Sequence, residues 1–330
     1  MTRMLLALAL GVAALAAEPA RVIFDTDMGN DVDDALALAM LHAFESRGEA
    51  RILAVTVTKD NPWAAAFIDL LDRFYGRPGI PIGMVKDGKT KDDGNYTRVV
   101  AEAVRSGGAP LHPRALTPGS PLPDALHLLR RTLADQPDGS VVIVQTGFST
   151  NLARLLESPA GDASPLAGPE LVKRKVRLLV IMAGRFSDAV AEYNIVNDIP
   201  AAQRVFADWP TPVFVSAWEI GEAAKYPAAR LDTDFAHFQN HPLADAYRAY
   251  QKMPYDEPLW DPTAVLYAVR PNGGYFGSTP QGRVSIGETG STQFSPGAGR
   301  HRLLTASSEQ RARIVEAVAG LISEPPGRCR

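Results

Sequence analysis

The chain has 330 residues, 46% of them hydrophobic, and its 34 basic and 37 acidic side chains leave a formal net charge of −3. That length suits one large domain or two small ones. The near-balance of charge excludes a polybasic nucleic-acid surface, and the single cysteine, Cys329, excludes both a disulfide framework and a thiolate metal site.

Met1 to Ala17 reads as a targeting segment: Arg3 supplies the positive start, Met4 to Leu15 the apolar run, and Ala14-Leu15-Ala16 a small-residue cleavage site. The run is shorter than the roughly 20 apolar residues that cross a bilayer. The expectation is an exported protein, periplasmic or extracellular, with residues 1–17 removed as a signal peptide, residues 18–330 forming the domain, and no membrane anchor left.

Continuous apolar runs at Val22 to Phe24, Ile52 to Thr58, Ile80 to Val85, Val141 to Val144, Val176 to Met182 and Pro212 to Ser216 predict strands buried on both faces. Helical patterns alternate with them at Asp34 to Ser46, Trp63 to Tyr75, Asp124 to Ala134, Thr150 to Glu157 and Ala201 to Ala207. This alternation predicts an α/β fold, a doubly wound and mostly parallel sheet flanked by helices. Gly88 to Pro123 reads as a surface excursion around a helix near Thr97 to Arg105, and Pro159 to Pro169 as a loop. After Ser216 the pattern predicts a helix from Phe235 to Lys252, another from Asp261, strand pieces around Arg283 to Ile286, and a closing helix from Ser308 to Ile322. No linker divides the chain, so a single domain is expected.

Between the first strand and the first helix lies Asp25-Thr26-Asp27-Met28-Gly29-Asn30-Asp31-Val32-Asp33-Asp34, five carboxylates in ten residues. Helix capping accounts for Asp33 or Asp34. It does not account for Asp25 and Asp27 alternating at a strand end, where open α/β sheets bind ligands. A hard divalent cation would let such a cluster stay ionised. The other reading is a Mg²⁺-dependent phosphatase with an Asp-x-Asp nucleophile, which Gly29 opposes because a hydroxyl-bearing residue belongs there.

Four later segments bring polar groups to the same sheet edge: Val55-Thr56-Val57-Thr58 with Asn61, Gln145-Thr146-Gly147 with Thr150-Asn151, Met182-Ala183-Gly184-Arg185 followed by Ala191-Glu192-Tyr193-Asn194, and Trp260-Asp261-Pro262-Thr263-Ala264-Val265. Together with the acidic loop, these motifs stand in the order seen in the nucleoside hydrolases, and the chain resembles that family from Val22 to about Arg270. The resemblance implies Ca²⁺-dependent hydrolysis of the N-glycosidic bond of ribonucleosides. Carried over residue by residue, Asp27, Asp34, the carbonyl of Thr146 and Asp261 resemble the Ca²⁺ ligands, which fits the roughly 6 to 8 oxygens that Ca²⁺ accepts. Asp33, Asn61, Glu192 and Asn194 resemble the ribose-binding positions, Met182 a residue beside the sugar, and Asp25 a supporting acid. Asp27 is the implied general base.

The sequence departs from the family's pattern in two places. The acid pair Asp33-Asp34 lies two residues further along than usual, which leaves Asp31 unassigned in a longer loop. Trp260 stands where inosine-uridine type members carry His, and Trp there, as in purine-preferring members, is expected to stack on the base. Trp63 is a second candidate ring or a packing residue. His237 and His241, with Tyr247, Tyr250 and Tyr255, fall in a region that would lid the pocket. A small nucleoside is the implied partner and a homo-oligomer stays open. The alternative from another class is an exported nucleoside- or sugar-binding protein without turnover.

Overall fold

A computed structural model describes residues 18–327, so the expected targeting segment and Cys329 lie outside the described residues. Strands β1 (Ala20–Thr26), β2 (Ala50–Val57), β3 (Ile82–Met84), β4 (Val141–Gln145), β5 (Val176–Met182) and β6 (Val213–Ser216) run parallel in the spatial order β6-β5-β4-β1-β2-β3. From β1 the chain builds first to one side and then, at β4, to the other. That reversal makes the carboxyl ends of β1 and β4 the crevice in which a doubly wound sheet receives a ligand.

The apolar runs are buried on both faces because both faces are covered. Val22 and Phe24 of β1 join a core with α1 (Asp33–Ser46) and α2 (Pro62–Phe74), and Ile23 between them points into a second core. The excursion after β3 carries the short helix α3 (Thr97–Ala101). The second core is built against α4 (Ala125–Ala134), α5 (Thr150–Glu157) and α6 (Gly168–Lys175). After β5 come α7 (Tyr193–Asn197) and α8 (Ile199–Asp208), and after β6 comes α9 (Trp218–Glu222). Helix α1 is buried from Asp33 through Phe44, held between the helices Trp260–Val269 and Ser308–Ile322. Each fully buried Val, Leu, Ile or Phe contributes about 1.5–3 kcal/mol, so this double core supplies the stability.

Three expectations change. Helix α6 occupies chain partly read as loop, opening with a proline in its first turn, where the missing N–H costs nothing. The helix expected over Phe235 to Lys252 is instead Leu231–Asp234 and Pro242–Tyr250, because Pro242 cannot continue a helix and starts a new one behind the His241 cap. The strand pieces near the end become Gly282–Ile286, Thr292–Pro296 and His301–Thr305: the last runs parallel beside β6, and the other two extend that edge antiparallel. The sheet is therefore mixed at one edge and parallel at its centre.

Candidate active site

Asp25 ties the crevice together. Its Oδ1 accepts from Thr56 Oγ1 at 2.6 Å and from Asn151 Nδ2 at 2.8 Å, and its carbonyl accepts the Thr146 N–H at 2.7 Å. Burial pushes its carboxyl up to about 7. The loop that follows turns at Gly29, whose φ of +113° is a left-handed value that favours glycine. Gly29 donates its N–H to the Tyr96 hydroxyl at 3.0 Å, and that hydroxyl donates to the Asp31 carbonyl at 2.9 Å. Gly147 admits the close approach of β4, since a Cβ there would lie 2.6 Å from the Asp27 nitrogen.

The acids of the loop converge. Asp31, Asp33 and Asp34 each bring one carboxylate oxygen within 4.8 Å of the others. Asp34 Oδ1 accepts from the Thr26 hydroxyl and, at 3.3 Å, from that of Thr146, while Asp33 Oδ2 accepts the Asp261 N–H at 2.9 Å. Burial first, then the neighbouring carboxylates, drives Asp27, Asp33 and Asp261 well above the ordinary carboxylate range and Asp34 to about 7. Asp33 Oδ1 and Asp34 Oδ2 are buried without a hydrogen-bond partner. Crowded acids with orphaned oxygens are a donor set that a hard cation fits.

Asp27 Oδ2 accepts from the Asn30 amide, and Asn30 Oδ1 in turn accepts from the buried Lys59 ammonium at 2.6 Å. Glu192 caps α7, accepting from the N–H groups of Asn194 at 2.7 Å and of Gly184 at 3.1 Å, and burial lifts it to about 7. The Asn194 amide donates to the Thr146 carbonyl at 2.7 Å and approaches Met182 Sδ at 3.3 Å. A cavity of about 430 Å³ opens onto Asp27, Asp31, Thr146, Met182, Glu192, Asn194, Trp260 and Asp261. Asp33 and Asp34 lie just behind this lining. Asn61 is not part of it: its Oδ1 caps α2, and its amide donates to the carbonyls of Lys91 and Asp92 and to Asp93 Oδ1.

The rest of the lining was given no role from sequence, although Arg185 and Tyr193 were read at this sheet edge and Tyr250 in the region expected to lid the pocket. Trp218 stacks beside Trp260, ring centres 6.4 Å apart and planes at 29°, and the Trp260 indole N–H donates to the Trp218 carbonyl at 3.0 Å. Arg185 lies 4.0 Å over the Trp218 ring, and Tyr250 and Tyr193 also face the cavity. Trp218 and Arg185 follow directly on β6 and β5, and that position at a strand's carboxyl end was the available signal. Asp31, left unassigned, lines the cavity. Trp63 packs on the core with Arg98 and Arg114 over its face, and His241 caps the Pro242–Tyr250 helix among Phe74, Phe235 and Phe238. Neither reaches the cavity.

The sequence model of the inosine-uridine preferring nucleoside hydrolases matches residues 22–320. The chain belongs to that family. This nucleoside hydrolase is thus an N-glycosyl hydrolase of a metal-dependent family, and its acidic crevice is where a metal fits. Its fold is shared by a plant nucleoside hydrolase (TM-score 0.67, 23% identity, covering 93% of this chain and 100% of that one) and an inosine-guanosine nucleoside hydrolase (0.69, 21%, 92% and 98%). A purine-preferring ribonucleoside hydrolase from Gardnerella vaginalis matches likewise (0.67, 18%, 92% and 98%). No curated protein sequence matches.

Proposed function

We propose that this nucleoside hydrolase is calcium-dependent, prefers purine ribonucleosides and works as an exported enzyme, with Asp27 as its general base. One observation carries the purine reading: the Trp218–Trp260 indole pair and Asp27 line a single cavity. Stacking of a base on an aromatic ring is worth about 1–3 kcal/mol and grows with the base's area, so a two-ring purine gains most.

Asp27, Asp34, the Thr146 carbonyl and Asp261 would hold the Ca²⁺, with Asp31 and Asp33 beside them. A calcium ion there supplies the positive charge that keeps these acids ionised, acidifies water and orients the sugar hydroxyls. Asp27 takes the proton from the attacking water. Glu192 and Asn194, anchored on α7, hold ribose hydroxyls, and Met182 packs beside the ring. As water reaches the anomeric carbon, the C1′–N bond breaks through an oxocarbenium-like transition state, and its electron pair leaves with the base. Asn61 acts from behind, fixing the 91–93 segment.

The test is ribose release from inosine, guanosine, adenosine, uridine and cytidine, with and without a calcium chelator. Purines should react fastest, chelation should stop turnover, and Asp27→Asn should abolish it in a folded protein. Equal rates on purines and pyrimidines would overturn the preference. Turnover that survives chelation would overturn the calcium assignment. Family membership argues against the phosphatase and binding-only readings.

A further inference from the structure

We infer that Arg185 meets the departing base, its guanidinium donating to the acceptor edge of a 6-oxopurine as the glycosidic bond breaks. The inference rests on the hydrolase reading above and adds to it a substrate class and the group that assists leaving.

When the C1′–N9 bond breaks, its electron pair passes into the purine and negative charge spreads towards N7 and O6. A proton or a fixed positive charge must meet it. Trp260 offers no imidazolium, and among the described residues no histidine lines the cavity. Among the lining residues Arg185 is the single cation, facing five carboxylates, those of Asp27, Asp31, Asp92, Glu192 and Asp261. The acids serve the sugar and the metal. Only the arginine has the charge that the base requires.

The side chain is also held as a binding group would be. Arg185 follows Gly184, whose φ of +81° turns the chain off β5. Its N–H donates to Thr292 Oγ1 at 3.0 Å, and the same hydroxyl donates back to the Arg185 carbonyl at 2.6 Å, so the backbone is clamped to the Thr292–Pro296 strand. The guanidinium stacks 4.0 Å over Trp218, and one Nη donates to Asp188 at 2.5 Å. Among the described residues the other Nη makes no hydrogen bond, while Nε is shut off from solvent and so out of a ligand's reach. The free Nη, with the second N–H of the Nη bound to Asp188, leaves the end of the guanidinium as the donor fork; beside the ring pair that would hold a base, it matches the two acceptors O6 and N7 that hypoxanthine and guanine present along one edge. Adenine places an amino donor at C6 and would leave part of that fork unmatched. A guanidinium keeps its protons, so it contributes charge and hydrogen bonds, and the base takes its proton from water.

The test uses the full chain with calcium and compares Arg185→Met and Arg185→Lys with the parent on inosine, adenosine and p-nitrophenyl β-ribofuranoside, whose nitrophenolate leaves with little help. Arg185→Met should lower kcat/KM on inosine on the order of 100-fold. The loss should be about tenfold smaller on adenosine and on the nitrophenyl riboside, with Arg185→Lys in between. Equal loss on all three substrates would make Arg185 a brace for Trp218 and overturn the inference, as would no loss. If the parent releases ribose from none of them, the hydrolase reading fails by itself. The contact is then decided by quenching of tryptophan fluorescence with free hypoxanthine and adenine: a hypoxanthine preference that disappears in Arg185→Met supports it, and equal affinities overturn it.

Discussion

The backbone N–H of Asp261 donates to Oδ2 of Asp33 at 2.9 Å, joining residues 228 positions apart. Both are buried, and the bond seats the first turn of the Trp260–Val269 helix against the start of α1. Asp33→Ala leaves that N–H without an acceptor, a loss of about 1–3 kcal/mol. At neutral pH the same change relieves crowding among the acids, an effect of opposite sign. At pH 5 in chelator, where Asp34, raised to about 7, is neutralised, the crowding is smaller and the loss of the bond dominates. Urea denaturation there should show Asp33→Ala less stable than the parent and Asp33→Asn, which keeps an acceptor oxygen, within about 0.5 kcal/mol of it. Identical midpoints for Ala and Asn would remove the bond's structural role.

Asp25 and Asp34 are lifted from 3.8 to about 7, by burial first in both and by the Asp31 charge next for Asp34. A folded value above the unfolded one means that these groups stabilise the metal-free protein fully below pH 3.8, and that the contribution is lost as pH rises through about 7. Calcium competes with protons for the same oxygens, so its effect must run the other way. In chelator the melting temperature should fall between pH 5 and pH 8. Added calcium should raise it more at pH 8, and calorimetry should show affinity at least about tenfold tighter there than at pH 6, with proton release. A calcium shift of equal size at both pH values would refute the site.

Trp260 is fixed by its bond to the Trp218 carbonyl, so its ring is already oriented before any base arrives. Removing it as Trp260→Ala should raise KM for inosine by about 5- to 150-fold, the equivalent of one stacked base. Uridine, with less ring area to stack, should lose less. Trp260→Phe should fall between, keeping a ring but not the indole N–H. Equal losses on inosine and uridine in steady-state kinetics would mean that Trp260 supports the helix and not the base.

The acidic loop was legible because five carboxylates crowd one strand end, more than capping alone explains, and α5, β5 and the closing helix were legible to the residue from their apolar patterns. Trp218 was not, and Arg185 was placed at the sheet edge without a role. A lone aromatic or a lone cation after a strand shows its partner only when the fold stacks one on the other. Asp31 was unassigned for a related reason: nothing near it in sequence says where it points, and the contact that ties its carbonyl down comes from the Tyr96 hydroxyl, 65 positions away. Asn61 shows the converse. Its motif was visible, but its amide is committed to a cap and a loop that the sequence did not connect.

Lys59, in the segment after β2 that was read as bringing polar groups to this edge, extends the acidic loop. It is fully buried, and its ammonium donates to Asn30 Oδ1 at 2.6 Å and to Asp92 Oδ2 at 3.2 Å, while the Asn30 amide donates to Asp27 Oδ2. A buried ammonium needs compensating charge, and the surrounding carboxylates provide it. The arrangement sets the direction of the Asp27 carboxylate through a neutral intermediary. Lys59→Met should therefore free Asn30 to rotate, and kcat on inosine should fall about tenfold while KM moves less than about threefold, because the ribose contacts from Glu192 and Asn194 are untouched. Lys59→Arg, with the charge retained, should recover part of kcat. The opposite split, a higher KM at constant kcat, would mean that Lys59 acts on substrate capture through Asp92, whose side chain is 67% exposed at the cavity, and not on the base.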